Sequence, residues 1–275
     1  MANPTVTSMD FRCAEKEYRK ALLDNELVVN KNPPMVLSEE CPAELPAHRK
    51  TNIVLLPGFN SADHEWAIFI HALKPWCYNV LRAQVDVKLA NEVLADNLFQ
   101  WLKATGLLCA IPITLIGFSN GGLICRALLH KYGVMNIKKL IMIATPNWGT
   151  PLALFGKIFS NHPGLEDLKV GSNFLNWLNK GYNAACTVPH YVVVGDAAHD
   201  IHGEHYDAVV WESSATLGYT LPYIRVESGE AVRLYQPNSA WHLNLTRKSW
   251  RSFGPANDRV WPITLNYVRC LLARE

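Results

Sequence analysis

From residue 52 onward, short apolar runs alternate with stretches of helical periodicity. The apolar runs are NIVLLPGF, YNVLRAQVDV, ITLIGF, KKLIMIAT and HYVVVG. Continuous apolar runs of this length are typical of buried parallel strands. Between and after them lie HEWAIFIHAL, LANEVLADNLFQWLKATG, GGLICRALLHKYG and DRVWPITLNYVRCLL, in which apolar residues recur every three or four positions. The alternation predicts an α/β fold, with a mostly parallel sheet and helices on both faces.

Two segments do not follow this alternation. Residues 1–50 contain prolines that end regular structure, and we interpret them as an N-terminal extension of a domain spanning residues 51–275. Residues 152–188, approximately, contain helical pieces without a strand-like run, which predicts a helical cap insertion over the sheet. Its aromatic residues Phe155, Phe159 and Trp177, with Trp148 just before it, are candidates for substrate binding. The alternative is that they only pack the insertion onto the core.

Composition narrows the class of protein. Hydrophobic residues make up 49% of the chain and charged residues 18%, which supports a large core and argues against disorder. The net charge is +2 with no long run of like charge, so we expect no nucleic-acid partner. Seven scattered cysteines without CxxC spacing indicate a reducing compartment. Without a signal-like segment or an apolar run of about 20 residues, we expect a cytoplasmic location and no stable membrane insertion. The oligomeric state stays open.

The segment ITLIGFSNGGLICRALL carries the main candidate chemistry. It contains Gly117-Phe118-Ser119-Asn120-Gly121, which matches the pattern GxSxG. The pattern alone occurs often by chance, but here it lies directly between a predicted strand and a predicted helix. A nucleophile elbow requires this placement, because the sharp turn exposes a serine hydroxyl above a helix N-terminus. The context therefore predicts that Ser119 is a nucleophile.

A serine nucleophile needs a base and an orienting carboxylate, which follow it in the chain order Ser, Asp or Glu, His in this architecture. We predict that His242, in the loop sequence LYQPNSAWHLNLT near the C-terminus, is the base. Three acids follow the strand HYVVVG. Asp207 is favoured, because it begins the turn-like segment DAVVWESSAT, whereas Asp200 and Asp196 stay open as alternatives.

An oxyanion hole needs two converging N–H donors. The backbone N–H of Asn120, directly after the serine, is one candidate. The loop sequence LLPGFNSADHEW after the first strand supplies the other, through the backbone of Phe59 beside Gly58.

Four segments in order resemble the α/β-hydrolase superfamily, and within it the bacterial lipase and esterase group that includes the PGAP1-like lipases. GFSNGGLICRALL resembles their GHSxGGLxxR elbow, so that Arg126 matches the arginine behind the serine. ATPNWGTPLA resembles TPHxGSPLA, DLKVGSNFLNWLN resembles their cap segment, and DAVVWESSA resembles the DGVVPxxSA acid loop, which favours Asp207. The resemblance covers roughly residues 52–245. Two departures are Pro57-Gly58 in place of His-Gly and the additional residues AAHDIHGEHY before the acid.

The resulting hypothesis is a serine hydrolase that cleaves a small-molecule or lipid carboxylic ester through an acyl-enzyme, without a cofactor. The resemblance also allows lipase, phospholipase or thioesterase activity. One alternative is a metal-dependent hydrolase, because HDIHGEHYD places three histidines and two aspartates between His199 and Asp207. Another is an inactive α/β-hydrolase fold used as a binding module.

Overall fold

A computed structural model describes Lys20 and residues 45–59, 67–86, 88–109, 111–133, 135–151, 153, 162–180, 188–196, 198–199, 205–207, 209–226 and 260–274. The strands are β1 (Asn52–Leu56), β2 (Asn79–Arg82), β3 (Ile113–Phe118), β4 (Ile137–Ile143), β5 (His190–Gly195), β6 (Ala198–His199), β7 (His205–Tyr206) and β8 (Tyr223–Val226). The α-helices are α1 (Ala67–Leu73), α2 (Asn91–Ala104), α3 (Asn120–Tyr132), α4 (Pro163–Asp167), α5 (Asn173–Asn179), α6 (Glu212–Ala215) and α7 (Val260–Ala273). Short 3-10 helices span Ala47–Arg49, Lys74–Trp76 and Leu107–Cys109.

Six of these strands form one sheet in the order β2-β1-β3-β4-β5-β8. Every neighbouring pair in it is parallel, and the short antiparallel pair β6 and β7 stands apart. The mostly parallel sheet predicted from the alternating pattern is therefore confirmed.

Successive residues of the central strands pack against different helices. Val54 and Leu56 lie in the same apolar cluster as residues of α2 and α3, whereas Ile53 and Leu55 cluster with residues of α1 and α7. Because side chains alternate across a strand, these two clusters lie on opposite faces of the sheet. Helices thus cover both faces, as the continuous apolar runs predicted.

The order of the strands determines where a ligand can bind. The chain passes from β1 to β2 on one side and then crosses to β3 on the other side of β1. Ligands of open α/β sheets bind beyond the carboxyl ends of the strands at such a reversal. The crevice between the carboxyl ends of β1 and β3 is therefore the expected site, and it contains the loops after Leu56 and Phe118.

The strand β8 was not predicted from the sequence. Its residues Tyr223–Val226 include Arg225, and a charged residue interrupts the apolar pattern of a buried strand. The structure explains how the strand accommodates this charge: the Arg225 guanidinium donates two hydrogen bonds of 2.7 Å to the buried carboxylate of Glu212. Such bidentate pairing compensates for removing both charges from water.

The described part of the predicted cap insertion packs onto the helices α2 and α3, which cover one face of the sheet. Its helices α4 and α5 contact α2 and α3, respectively. Three apolar side chains of α5, Phe174, Leu175 and Leu178, are buried in the same cluster as α3. Among the described residues, no helix is both long enough and apolar enough to cross a membrane.

His190, the first residue of β5, is expected to make the free energy of unfolding depend on pH in the acid range. Its buried ring donates a hydrogen bond from Nδ1 to the carbonyl oxygen of Val188 (2.6 Å), and burial lowers its pKa to about 4. The unfolded chain binds a proton below about pH 6.5, whereas the folded chain does not. The free energy of unfolding therefore falls as the pH drops from 6.5 towards 4.

Replacing His190 with glutamine removes this proton uptake. Between pH 7 and pH 4.5, we expect the wild type to lose about 2–3 kcal/mol more of its unfolding free energy than His190→Gln loses. Urea denaturation at both pH values measures the difference. An equal loss in the two proteins would show that His190 is not the group responsible.

Candidate active site

Ser119 occupies a sharp turn between β3 and α3. Its backbone angles are φ 52° and ψ −123°, which residues other than glycine rarely adopt and which cost about 1–3 kcal/mol. The turn is fixed on both sides, because the Ser119 N–H bonds to the carbonyl oxygen of Ile143 (2.8 Å) and the Gly122 N–H bonds to that of Ser119 (3.0 Å). The partly exposed side chain stands at the N-terminus of α3. This is the geometry of a nucleophile elbow.

Glycines let the elbow lie against its neighbours without intervening side chains. A Cβ atom on Gly121 would lie 2.3 Å from the carbonyl oxygen of Leu56 at the end of β1. A Cβ atom on Gly122 would lie 1.9 Å from Oγ1 of Thr145, just after β4. Within the elbow, a Cβ atom on Gly117 would lie 2.5 Å from the backbone of Gly122. The start of α3 is therefore in close contact with both adjacent strands.

We expect Gly121→Ala to lower the free energy of unfolding by about 3 kcal/mol or more, because the carbonyl oxygen of Leu56 is backbone and cannot rotate away. Gly106→Ala is the matched control. Gly106 has φ +71° but no atom within 4 Å of its Cβ position, so only the backbone conformation opposes that substitution, at about 1–2 kcal/mol. Urea denaturation of both variants compares these costs. Equal losses would contradict the tight packing of the elbow.

The loop after β1 passes directly beside the serine. A Cβ atom on Gly58 would lie 3.1 Å from Cβ of Ser119 and 3.0 Å from the ring of Phe118. Phe59, the predicted oxyanion donor, is the next residue along the chain. Its backbone therefore lies in the crevice between β1 and β3.

Asn120, the other predicted donor, is the first residue of α3, where backbone N–H groups have no partner within the helix. Its buried side chain donates from Nδ2 to Oδ1 of Asn91 (2.8 Å), at the start of α2. This bond connects the N-termini of the two helices. The Asn120 side chain is thus held inside the protein, and the role of its backbone N–H as an oxyanion donor stays a prediction.

Asp207 and Asp196 differ in their partners. Asp207 is 1% exposed, and its Oδ1 accepts hydrogen bonds from the backbone N–H groups of Val209 (3.0 Å) and Val210 (2.7 Å). Asp196, directly after β5, is 3% exposed, and its Oδ2 accepts a hydrogen bond from Nδ1 of His205 (2.7 Å). Asp207 is therefore oriented by rigid backbone donors, whereas Asp196 connects the end of β5 to the hairpin formed by β6 and β7.

The sheet places the serine and these acids at one edge. Ser119 follows β3, Asp196 follows β5, and one strand separates the two. Two strand spacings amount to about 10 Å, a distance that an intervening imidazole would have to bridge. His242, the predicted base, lies outside the described residues, as do Asp200, Phe155 and Phe159.

Hydrogen bonds connect the segment after β4 to the acid loop. The hydroxyl of Thr150 donates to the carbonyl oxygen of Val209, and the Trp148 N–H donates to Oγ of Ser214 (3.1 Å). The Trp148 side chain is itself 7% exposed and packs in the core cluster that contains α3. These contacts hold the turn that orients Asp207, and a role for Trp148 in substrate binding stays a prediction.

Arg126, on the buried side of α3, connects the cap to this segment. Its guanidinium donates to Oδ1 of Asn147 and to Oδ1 of Asn179, both at 2.9 Å. Asn179 is the last residue of α5 and donates back to the Asn147 carbonyl oxygen (2.9 Å). One buried cation therefore holds together the helix behind the serine, the loop after β4 and the cap.

Trp177, in α5, lies against the far end of α3. Its ring meets that of His130 edge to face, with centroids 4.5 Å apart, and it also contacts Phe174. His130 lies 11 residues after Ser119, which corresponds to about 16 Å along the helix axis. The observed contacts thus pack α5 onto α3, and substrate binding by Trp177 stays a prediction.

Two of the side chains proposed as metal ligands, those of His205 and Asp207, form other hydrogen bonds. Nδ1 of His205 is bonded to Asp196, and Oδ1 of Asp207 accepts two backbone N–H groups. Within the part of the chain that the structure describes, no group of three or more histidine, cysteine, aspartate or glutamate side chains is arranged to hold a metal ion. The side chains of His199, Asp200 and His202 lie outside that part.

Sequence reasoning missed Asn91 and Asp167. The carboxylate of Asp167, in the cap, accepts a hydrogen bond from the Asn91 backbone N–H (2.7 Å) and thereby caps α2. Burial raises the pKa of this carboxyl. No pattern in the neighbouring sequence could predict this hydrogen bond, because its two partners lie 76 residues apart.

Solved structures share this fold at low sequence identity. The mature lipase BlEst2 from Bacillus licheniformis superposes with a TM-score of 0.57 at 15% identity, over 82% of this chain and 95% of that one. Phospholipase PlaB from Legionella pneumophila in complex with thio-NAD has a TM-score of 0.52 at 20% identity, over 61% of this chain and 44% of that one. This chain thus matches less than half of PlaB. No protein-family model and no curated protein sequence matches it. Together with the parallel sheet and the elbow, these superpositions establish the α/β-hydrolase fold.

Proposed function

We propose that this protein is a serine hydrolase that cleaves carboxylic esters through an acyl-enzyme. The observation that carries the proposal is the backbone conformation of Ser119, with φ 52° at the junction of β3 and α3. A strained turn that is fixed by backbone hydrogen bonds on both sides holds the hydroxyl in place for attack.

The proposed reaction uses the triad and the oxyanion donors that the sequence predicts. Ser119 Oγ attacks the ester carbonyl carbon while His242 Nε2 accepts the hydroxyl proton. Asp207 accepts a hydrogen bond from Nδ1 of that imidazole and stabilises the imidazolium. The backbone N–H groups of Phe59 and Asn120 donate to the oxyanion. The tetrahedral intermediate then expels the alcohol, which takes the proton from His242, and water releases the acyl group in the reverse sequence.

The choice of Asp207 as the acid is supported by its hydrogen bonds. The backbone N–H groups of Val209 and Val210 donate to its Oδ1 and hold the carboxylate in one orientation. A carboxylate held in this way can orient the imidazole of the base. Asp196 has a different partner, since its Oδ2 accepts a hydrogen bond from Nδ1 of His205.

The substrate class is supported by the solved structures with the same fold. Two of these proteins are a lipase and a phospholipase. We infer a small-molecule or lipid ester as substrate here, with no cofactor, because the triad supplies both the nucleophile and the proton transfers. We also propose a reducing, cytoplasmic location, which is supported by the described residues Cys77, Cys109 and Cys125, whose thiols form no disulfide.

A pre-steady-state experiment tests this mechanism. Mixing the protein with p-nitrophenyl butyrate should release a burst of p-nitrophenol of about one equivalent per active site, if deacylation is the slower step. The burst should persist in EDTA and disappear after treatment with a fluorophosphonate. Activity that is abolished by EDTA but resistant to the fluorophosphonate would favour the metal-dependent alternative. No activity and no labelling would favour the binding module.

A further inference from the structure

A cavity of about 750 Å³ lies beside the elbow, on the face of the sheet that α2 and α3 cover. Seven of its eleven lining residues are apolar, namely Leu56, Ala83, Val85, Leu94, Leu98, Trp101 and Ile124. Ligand pockets for small organic molecules have volumes of about 300–1,000 Å³. The size of this cavity and its mixed lining therefore suit an organic ligand that has both an apolar and a polar portion.

The cavity begins close to the nucleophile. Leu56 is the last residue of β1, and it pairs in register with Gly117, two residues before Ser119. Ile124 follows Ser119 by five residues on α3, which corresponds to about 7 Å along the helix axis. Leu56 also lies against the elbow, since its carbonyl oxygen is 2.3 Å from the Cβ position of Gly121. A group attached to the carbonyl carbon at Ser119 thus has a short path into this space.

Three of the apolar lining residues belong to α2. Leu94, Leu98 and Trp101 lie at intervals of four and three residues, so they share one face of the helix. From Leu94 to Trp101 they extend over about 10 Å. Because α2 begins at the carboxyl edge of the sheet, this face leads from that edge along the sheet. The ring of Trp101 thus forms part of the wall of the cavity.

Four polar residues line the cavity. Gln84 and Asp86 beyond β2 and Asn97 on α2 are exposed, whereas Arg82, the last residue of β2, is half-buried. The buried residues Leu56, Leu94 and Ile124 line the inner side. The exposed polar residues thus surround an apolar floor, which suits a ligand that has a polar end and a hydrocarbon chain.

We propose that this cavity binds the acyl chain of the ester substrate, which makes the preferred substrates esters of medium-chain or long-chain fatty acids. The proposal rests on the proposed function, since it places the acyl carbonyl at Ser119. It adds the position of the chain, between α2 and the residues that follow β2, and the residues that determine the accepted length.

Filling the cavity tests the proposal. Leu98→Trp places a larger side chain on the inner wall, and Asn97→Trp narrows the opening from an exposed position that has little effect on folding. In both variants we expect the ratio of kcat/KM for p-nitrophenyl laurate to that for p-nitrophenyl butyrate to fall at least tenfold. Gln100→Trp is the matched control, because Gln100 is exposed on α2 and does not line the cavity, and its ratio should stay within twofold of the wild type.

A binding measurement separates this proposal from the hydrolase proposal. The Ser119→Ala protein is titrated with 11-(dansylamino)undecanoic acid, a fluorescent fatty acid, and the same titration is repeated with Asn97→Trp added. We expect the added substitution to raise Kd at least tenfold, whether or not any ester is hydrolysed. An unchanged Kd and an unchanged laurate-to-butyrate ratio in Asn97→Trp and in folded Leu98→Trp would overturn the cavity assignment and leave the serine mechanism intact.

Discussion

Replacing Ser119 with alanine is expected to lower kcat for p-nitrophenyl butyrate by about 10⁶-fold, as removal of a triad serine does in other hydrolases. Without Oγ, no covalent acyl-enzyme can form, and only the residual contribution of oxyanion binding is left. The fold should persist, because the backbone bonds of the turn involve the N–H and carbonyl groups of residue 119 and not its hydroxyl. Steady-state kinetics and thermal unfolding of the same preparation measure both effects.

A small effect of this substitution would be informative. If folded Ser119→Ala retained more than about one tenth of the wild-type kcat, the nucleophile would have to be another group. A large loss accompanied by a large fall in Tm would leave the role of the hydroxyl unproven, so Ser119→Cys serves as the second variant. Its thiolate can be acylated in the same position, and we expect detectable acyl-enzyme by mass spectrometry.

Replacing Asp207 with asparagine is expected to lower kcat by about 10⁴-fold. Asparagine keeps an oxygen that can accept the backbone N–H groups of Val209 and Val210, so the loop should keep its conformation. The lost charge no longer stabilises the imidazolium of His242, and the amide favours the wrong tautomer of the base. Steady-state kinetics on p-nitrophenyl butyrate measure the loss.

Asp196→Asn is the matched control for this prediction. It removes the charge of an equally buried carboxylate at the same edge of the sheet, and that carboxylate bonds His205. We expect its kcat to fall by less than about tenfold, because His205 is not the proposed base. If Asp196→Asn lost more activity than Asp207→Asn, the two acids would have to exchange roles.

The central architecture could be predicted because it depends on local pattern. Strands that are covered on both faces must be apolar throughout, and β1, β3, β4 and β5 have this signature in the sequence. The strand β8 did not, because the charge on Arg225 becomes acceptable only through Glu212, which lies 13 residues earlier. A pattern within a short window contains no information about such a partner.

The same difference between local pattern and distant partners applies to the candidate site. The sharp turn at Ser119 could be predicted because it is one continuous segment of strand, turn and helix, whereas the role of Ser119 as a nucleophile stays a prediction. The acid could not be resolved, since Asp196 and Asp207 both follow β5 and differ only in their hydrogen-bond partners. The sequence left open whether Trp177 binds substrate or packs the insertion onto the core, and it did not indicate that the neighbour is His130 at the far end of α3.

Labelling with a fluorophosphonate, followed by peptide mass spectrometry, tests the central claim most directly. The folded wild-type protein should form one adduct, and the modified residue should be Ser119. Protein that has been unfolded in urea before labelling should form none, because the reactivity of the hydroxyl depends on the elbow and its base. An adduct on a different serine, or the absence of any adduct in folded protein that is active on esters, would contradict the account.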